Sequence, residues 1–335
     1  MYLSEIEAWL TDNNFPKFHG KQIFTWLHQK SVTSFDEMTN LSKNLRAELQ
    51  NSFYIVTIKT KKKLASSIDD TVKYLYELPD GELVESVLMK YHHGYTVCVS
   101  TQIGCKMGCT FCASCKNGFI RNLTASEILA QVTAASKDMG VRISNIVMMG
   151  MGEPLDNFEN SIRFIRLVTS PDGLNIGCRH ISLSTSGVVP NIYKLADMQL
   201  PVTLSISLHA SDDETRNRIM PVNHKWNIEE LLKACRYFLA QGGRRISFEY
   251  ALISGENDSV STADALANLL KGMLCHVNLI PVNSVEENKY CPPDKKRILQ
   301  FQKRLEAHGI TATVRRTLGS DVNASCGQLR NQNLK

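Results

Sequence analysis

The chain has 335 residues, 43% hydrophobic and 21% charged, which suffices for one sizeable core with a smaller attached module and excludes a disordered protein. No run of about 18 apolar residues appears and the start Met1-Tyr2-Leu3-Ser4-Glu5 lacks the basic-then-apolar order of a secretion signal, so a cytoplasmic protein is expected. A net charge of +5 permits an RNA partner without requiring one, and ten cysteines are too dilute for a disulfide framework, which leaves metal or catalytic roles for those that cluster.

In chain order, Ile6, Trp9 and Leu10, then Ile23, Phe24, Trp26 and Leu27, then Leu41, Leu45 and Leu49 recur three and four apart, predicting a helical module over 1–52. Strand-like runs from Lys73 to Leu78 and from Leu83 to Met89 flank a Pro79-Asp80-Gly81 turn, so 53–93 reads as a β-rich connector. Over 94–335, strands at Thr96–Ser100, Asn145–Met149, His180–Thr185, Val202–Leu208, Ile246–Leu252 and His276–Ile280 alternate with helices near 125–139, 157–168, 190–198, 227–241, 259–272 and 294–308. That alternation predicts an α/β fold, a partial (β/α)6 TIM-like barrel, with a last strand at Thr311–Arg316 and a C-terminal extension carrying Cys326. Lys59, Lys61, Lys62 and Lys63, the pairs Arg244-Arg245 and Arg315-Arg316, and Lys295, Lys296 and Arg297 read first as solvated faces and second as nucleic-acid contacts.

The stretch Gly104-Cys105-Lys106-Met107-Gly108-Cys109-Thr110-Phe111-Cys112 places three thiols at C-x3-C-x2-C spacing after an apolar strand. A structural zinc site and an ordinary iron-sulfur cluster each take four protein ligands, so a cluster held by three keeps one iron open for a substrate. Cys115 extends the run and could close a four-cysteine site, which would make the chain a zinc- or cluster-containing RNA-binding protein without catalysis. Gly150-Met151-Gly152-Glu153-Pro154-Leu155 follows a buried-type strand, and its glycines would let backbone approach a ligand. Gly152 and Glu153, Ser184, Ser207 to His209, and Asn283 all fall at C-terminal strand ends, the functional mouth of a β/α barrel. Taken alone, Cys98 and Glu85 could be ordinary strand residues and Cys326 an inert thiol, while Cys178, Cys235, Cys275 and Cys291 read as packing residues.

Together, the three-cysteine run, Gly-Phe-Ile-Arg-Asn-Leu-Thr from Gly118, Met-Gly-Met-Gly-Glu-Pro-Leu from Met149, Leu-Ser-Thr-Ser-Gly from Leu183, Ser-Leu-His-Ala from Ser207, Phe-Glu-Tyr from Phe248, Asn-Leu-Ile-Pro-Val-Asn from Asn278 and Cys-Gly-Gln-Leu from Cys326 resemble the RlmN/Cfr family of radical S-adenosylmethionine (SAM) RNA adenine methyltransferases. The resemblance spans essentially the whole chain and includes the N-terminal Phe18–Leu27 segment. It implies a 4Fe-4S cluster on Cys105, Cys109 and Cys112, whose open iron chelates the amino and carboxylate groups of SAM. It implies SAM contacts from Gly152, Glu153, Ser184, Ser207, Leu208, His209 and Asn283. By the same resemblance Cys326 first takes a methyl group from one SAM, a second SAM yields a 5'-deoxyadenosyl radical that removes hydrogen from that methyl, and the carbon radical adds to adenine. Cys98 matches the cysteine that resolves the crosslink by forming a disulfide with Cys326, and Glu85 matches a carboxylate assigned as proton acceptor, a role Cys98 could also fill.

Within the family, RlmN methylates adenine at C2 and the resistance enzyme Cfr at C8. Gly118–Asn122, Phe248–Tyr250 and Ile280–Asn283 resemble RlmN, so the expected reaction is C2 methylation of an adenosine in 23S ribosomal RNA and of the adenosine beside the anticodon of transfer RNA. An external one-electron donor of the flavodoxin or ferredoxin kind and a monomeric enzyme are expected. The chain departs from the family pattern at Cys115, at Asn323 and Ser325, and in the loop Ser284–Cys291.

Overall fold

The computed structural model describes residues 1–116, 118–283 and 290–324, and Cys326 lies outside them. Helices α1 (Leu3–Asp12), α2 (His19–His28) and α3 (Lys43–Ser52) form the N-terminal module, burying Ile6, Leu10, Ile23, Phe24, Leu45 and Leu49 as their spacing predicts. Strands β1 (Lys59–Ala65), β2 (Val72–Glu77) and β3 (Leu83–Tyr91) follow. Strand β3 pairs antiparallel with β4 (Gly94–Cys98), so the three strands continue the main sheet.

Beyond β4 the β/α alternation is realised by α4 (Ala125–Met139), β7 (Ile143–Met148), α5 (Phe158–Thr169), β8 (Ile181–Thr185), α6 (Val189–Asp197), β9 (Thr203–Ser207), α7 (Asp213–Ile219), α8 (Ile228–Ala240), β10 (Ile246–Leu252), α9 (Val260–Leu270), β11 (Cys275–Pro281), α10 (Lys295–Ala307) and β12 (Ala312–Val314). The described sheet runs β1-β2-β3-β4-β7-β8-β9-β10-β11-β12, parallel from β4 to β12. Among the described residues β12 has no pairing back to β4, so the barrel is partial, and no helix is long and apolar enough to cross a membrane. The lysine-rich segment is the exposed edge strand β1, where charge discourages further strand pairing.

Two elements were not legible from periodicity. Strands β5 (Gln102–Gly104) and β6 (Phe119–Asn122) form a separate hairpin whose excursion carries the cysteines, and the Cys105 N–H donates to the Gly118 carbonyl at its neck, 3.1 Å away. Gly104 has φ +73°, and a Cβ there would lie 1.8 Å from that same carbonyl oxygen, so no side chain fits. The second element is α7, whose role is polar and is described below.

Helix α4 fixes this hairpin to the sheet. Thr124 caps its N-terminus with Glu127 in a reciprocal capping box, and Gly140 ends it in the left-handed conformation. Arg121 of β6 grips Glu127 with both terminal nitrogens, 3.0 and 2.8 Å, and also pairs with Asp80. From the next turn the buried Gln131 amide accepts from the Ser100 N–H at 2.9 Å and donates to its carbonyl at 3.0 Å. That bond pair holds the strand end from which the cysteine hairpin departs. Gln131→Ala strands a buried donor and acceptor and is expected to cost roughly 2–4 kcal/mol, read by urea unfolding of the cluster-free protein. A loss below about 0.5 kcal/mol would show that water replaces the amide there.

Candidate functional site

One cavity at the C-terminal strand ends gathers most of the residues expected to bind cofactor. Cys105, Cys109, Cys112 and Cys115 line it together with Gly152, Glu153, Ser184, Ser207, His209 and Asn283. Leu208 is an exception. Its side chain is fully buried in the main core, while its backbone N–H donates to Glu249 and its carbonyl accepts from Arg216. A larger apolar cavity of about 470 Å³ lies between the N-terminal helices and α4, lined by Trp9, Leu27, Phe35, Phe53 and Leu129, and contains none of the expected site residues.

The loop after β7 is shaped by protein contacts. Gly152 has φ +98° and a Cβ there would lie 2.5 Å from the Gln102 Cβ, so the backbone approach that its glycine permits is to β5 as well as to the cavity. Glu153 is buried, its N–H donates to Gln102 Oε1 at 2.8 Å, and its carboxylate accepts from the N–H groups of Leu155 at 2.9 Å and Ser186 at 2.7 Å. Burial outweighs these bonds and raises its pKa. The Glu153 carboxylate thereby joins the loops after β7 and β8, and its backbone N–H ties them to the cysteine hairpin.

His209 lies two residues past β9 with φ +58°, and its Nδ1 accepts the Ala251 N–H at 2.8 Å, which leaves the ring proton on Nε2. Burial, with the nearby Arg216 charge, pushes its pKa down to about 3, so the ring is neutral at physiological pH. Phe111 from the cysteine loop packs edge-on against it, ring centroids 4.9 Å apart.

Arg216 of α7 was not foreseen. It is fully buried, and its guanidinium donates to the carbonyls of Leu208 at 3.0 Å, Ser186 at 2.6 Å and Ser207 at 3.1 Å, and to Asn223 Oδ1 at 2.8 Å. Burial lowers its pKa to about 10, which still leaves it charged at neutral pH. The available signal was an arginine within a short polar helix directly after a strand-end motif, but one apolar position in seven residues gives no period to read.

The remaining expected residues occupy a neighbouring patch of the sheet. Val87 pairs with Cys98 across β3 and β4, and Lys73 pairs with Val87 across β2 and β3, so Lys73, Glu85, Val87 and Cys98 share one face. Cys98 packs with Val87, Met89, Met151 and Ala324, which stands two positions before Cys326. Glu85 is buried and ion-paired to Lys73 at 3.1 Å, and Lys73 also donates to the Asn323 carbonyl at 3.2 Å. Lys73 too was missed, although a lone lysine in one apolar strand and a lone glutamate in the next are the sequence mark of such a pair. Arg315, expected on a solvated face, instead lines the cavity beside the buried Glu249. Cys235 is buried and Cys178 and Cys275 half-buried, whereas Cys291 is exposed.

Hydrogen bonding among the four sulfurs lowers the Cys115 pKa and, with burial, raises those of Cys105, Cys109 and Cys112. Among the described residues no group of three or more His, Cys, Asp or Glu is set around a point that would hold a single ion. A set of sulfur donors on one short loop, opening into the strand-end cavity, suits an iron-sulfur cluster, in which each sulfur takes a different iron.

Comparison with known proteins extends this picture. Residues 99–270 match the model of the radical SAM superfamily, and residues 1–55 match that of the ribosomal RNA large subunit methyltransferase N-terminal domain. A probable dual-specificity RNA methyltransferase RlmN from Alkaliphilus oremlandii is 56% identical over 99% of this chain and 97% of its own. One of the same description from Clostridium novyi is 52% identical over 98% and 96%. The crystal structure of a radical SAM methyltransferase from Sphaerobacter thermophilus superposes with a TM-score of 0.94, at 44% identity and 98% coverage of both chains.

Arg216→Lys retains a charge but cannot reach four acceptors, so it is expected to cost roughly 2–4 kcal/mol in urea unfolding of the cluster-free protein, with Arg216→Leu costing more. Equal stability of the lysine variant and the parent would show that the charge alone matters.

Proposed function

The chain belongs to the RlmN family of radical SAM RNA methyltransferases, and from that footing we propose that it methylates C2 of an adenosine in 23S ribosomal RNA and of the adenosine beside the anticodon of transfer RNA. The family uses a 4Fe-4S cluster and SAM, and Cys105, Cys109 and Cys112 would hold the cluster here. When bound, the cluster supplies an electron for reductive cleavage of SAM, which provides both the methyl carbon and a hydrogen-abstracting radical.

Glu153, Ser184, Ser207, His209 and Asn283 would orient SAM. The neutral His209 offers an Nε2 proton as donor, and Glu153 fixes the loop that approaches the cavity. Leu208 would contribute only through the backbone geometry that Arg216 and Glu249 impose.

An adenine ring carbon is too weak a nucleophile to attack the methyl of SAM directly, so the carbon must arrive on a protein sulfur, which we assign to Cys326. After the carbon joins the ring, the odd electron left on the adenine would return to the cluster as the ring proton is lost; the carbon is then bonded to both adenine and sulfur, and it leaves only when another thiol attacks that sulfur. Cys98 would attack as thiolate: the Cys98–Cys326 S–S bond forms, the sulfur–carbon bond breaks with its electron pair passing to the substrate, and the new methyl takes a proton. Loss of the ring proton falls to Glu85, whose carboxylate is buried and ion-paired to Lys73. The observation that carries this assignment is the packing of Cys98 against Ala324, two residues before Cys326, on the sheet face that also bears Glu85.

An external donor such as flavodoxin or ferredoxin would supply electrons to a monomeric, cytoplasmic enzyme. Lys59, Lys61, Lys62 and Lys63 on the exposed edge strand β1 offer phosphate contacts to a folded RNA.

Two variants separate the cysteine roles. Cys326→Ala is expected to accept no methyl and trap no RNA, whereas Cys98→Ala should react once and remain covalently joined to labelled RNA on a denaturing gel. Free methylated RNA from Cys98→Ala over many turnovers would assign release to another group. Digestion of the wild-type product should yield 2-methyladenosine; 8-methyladenosine alone would overturn the C2 assignment.

A further inference from the structure

Cys115 has no part in the three-cysteine reading, yet its side chain lines the same cavity as those of Cys105, Cys109 and Cys112. It closes the short turn Ala113–Cys115 that directly follows Cys112, and its carbonyl accepts from the Gly118 N–H at 3.3 Å. Gly118 in turn accepts from Cys105, so the backbone holds Cys115 beside the first cysteine of the set as well as the third. The Cys115 side chain lines the same cavity as Glu153, Ser184 and His209. It also borders a second crevice on the outer side, with Lys116, Glu256 and Tyr290.

We propose that Cys115 is a fourth cluster ligand while SAM is absent, and that SAM displaces it. The inference rests on the cluster reading above and adds a resting state to it. A thiolate is a soft anionic donor and outcompetes water for iron, so an iron left open by three cysteines is expected to take a fourth sulfur placed among them. On binding, the Cys115 S–H bond gives its proton to solvent and an iron–sulfur bond forms. When the amino nitrogen and carboxylate of SAM take that iron, the iron–sulfur bond breaks, the thiolate leaves with its electron pair and is reprotonated, and no oxidation state changes. The outer crevice gives the displaced side chain a place to turn toward. The consequence is protection, because a three-cysteine cluster without SAM loses its open iron on mild oxidation and becomes a 3Fe-4S cluster with its own electron paramagnetic resonance signal.

The test uses the full chain, reconstituted anaerobically with iron and sulfide, as wild type, Cys115→Ala and Cys109→Ala. Brief oxidation without SAM should give at least about fivefold more 3Fe-4S signal in Cys115→Ala than in wild type, and SAM added beforehand should reduce that excess. Mössbauer spectra of the wild type should show a distinct iron site only after SAM is added. Equal 3Fe-4S signals in wild type and Cys115→Ala, or a distinct site already present without SAM, would overturn the inference and leave the three-cysteine reading intact. Loss of iron from Cys115→Ala to the level of Cys109→Ala would instead overturn the three-cysteine reading itself.

Discussion

A parallel sheet ends in carbonyls with no further strand to satisfy them, and here one buried guanidinium takes up three at the point where the chemistry must occur. Arg216 donates to Ser186 beyond β8 and to Ser207 and Leu208 at the end of β9. Without it these loops would need water or a tighter collapse, and either outcome would fill the mouth of the barrel. Arg216 has no direct carboxylate ion pair among the described residues; Asn223 connects it to Asp213 through an amide. Its positive charge therefore stands behind a cavity that collects thiolates and a carboxylate, in a low-dielectric setting where such charge counts most.

Glu153 and Asn157 extend the same solution. Glu153 binds backbone N–H groups on the loops after β7 and β8, and Asn157 donates to the carbonyls of Thr101 and Leu123 at 2.8 and 2.7 Å, joining the two feet of the cysteine hairpin. Arg121, quoted among the family-like residues, has a structural part in the same frame through its two-point grip on Glu127. A residue that marks a family in sequence can thus be a strut, with the reactive groups carried on the loop that it braces.

Much of the architecture was legible because its physical signal is local. Long amphipathic helices such as α8 and buried strands such as β10 show their periods directly in sequence. The hairpin β5–β6 and helix α7 escaped because their residues answer to tertiary hydrogen bonds and show no apolar period. The strand-end positions of Glu153, Ser184, Ser207, His209 and Asn283 followed from the alternation, and they meet in one cavity. Lys73 and Arg216 did not follow, since a buried cation is recognised by its acceptors, and these lie on other elements. Leu208 shows the converse: a neighbour of two cavity residues in sequence can point its side chain into the core.

The central claim is that the strand-end cavity, and not the larger apolar cavity under the N-terminal helices, receives SAM. Hydrogen-exchange mass spectrometry of the reconstituted protein, with and without SAM, tests it directly. The account predicts slowed exchange in the loops around 150–155, 184–187 and 207–210, with residues 1–58 unchanged. Slowing confined to residues 1–58 and α4, with the strand-end loops unaffected, would contradict it.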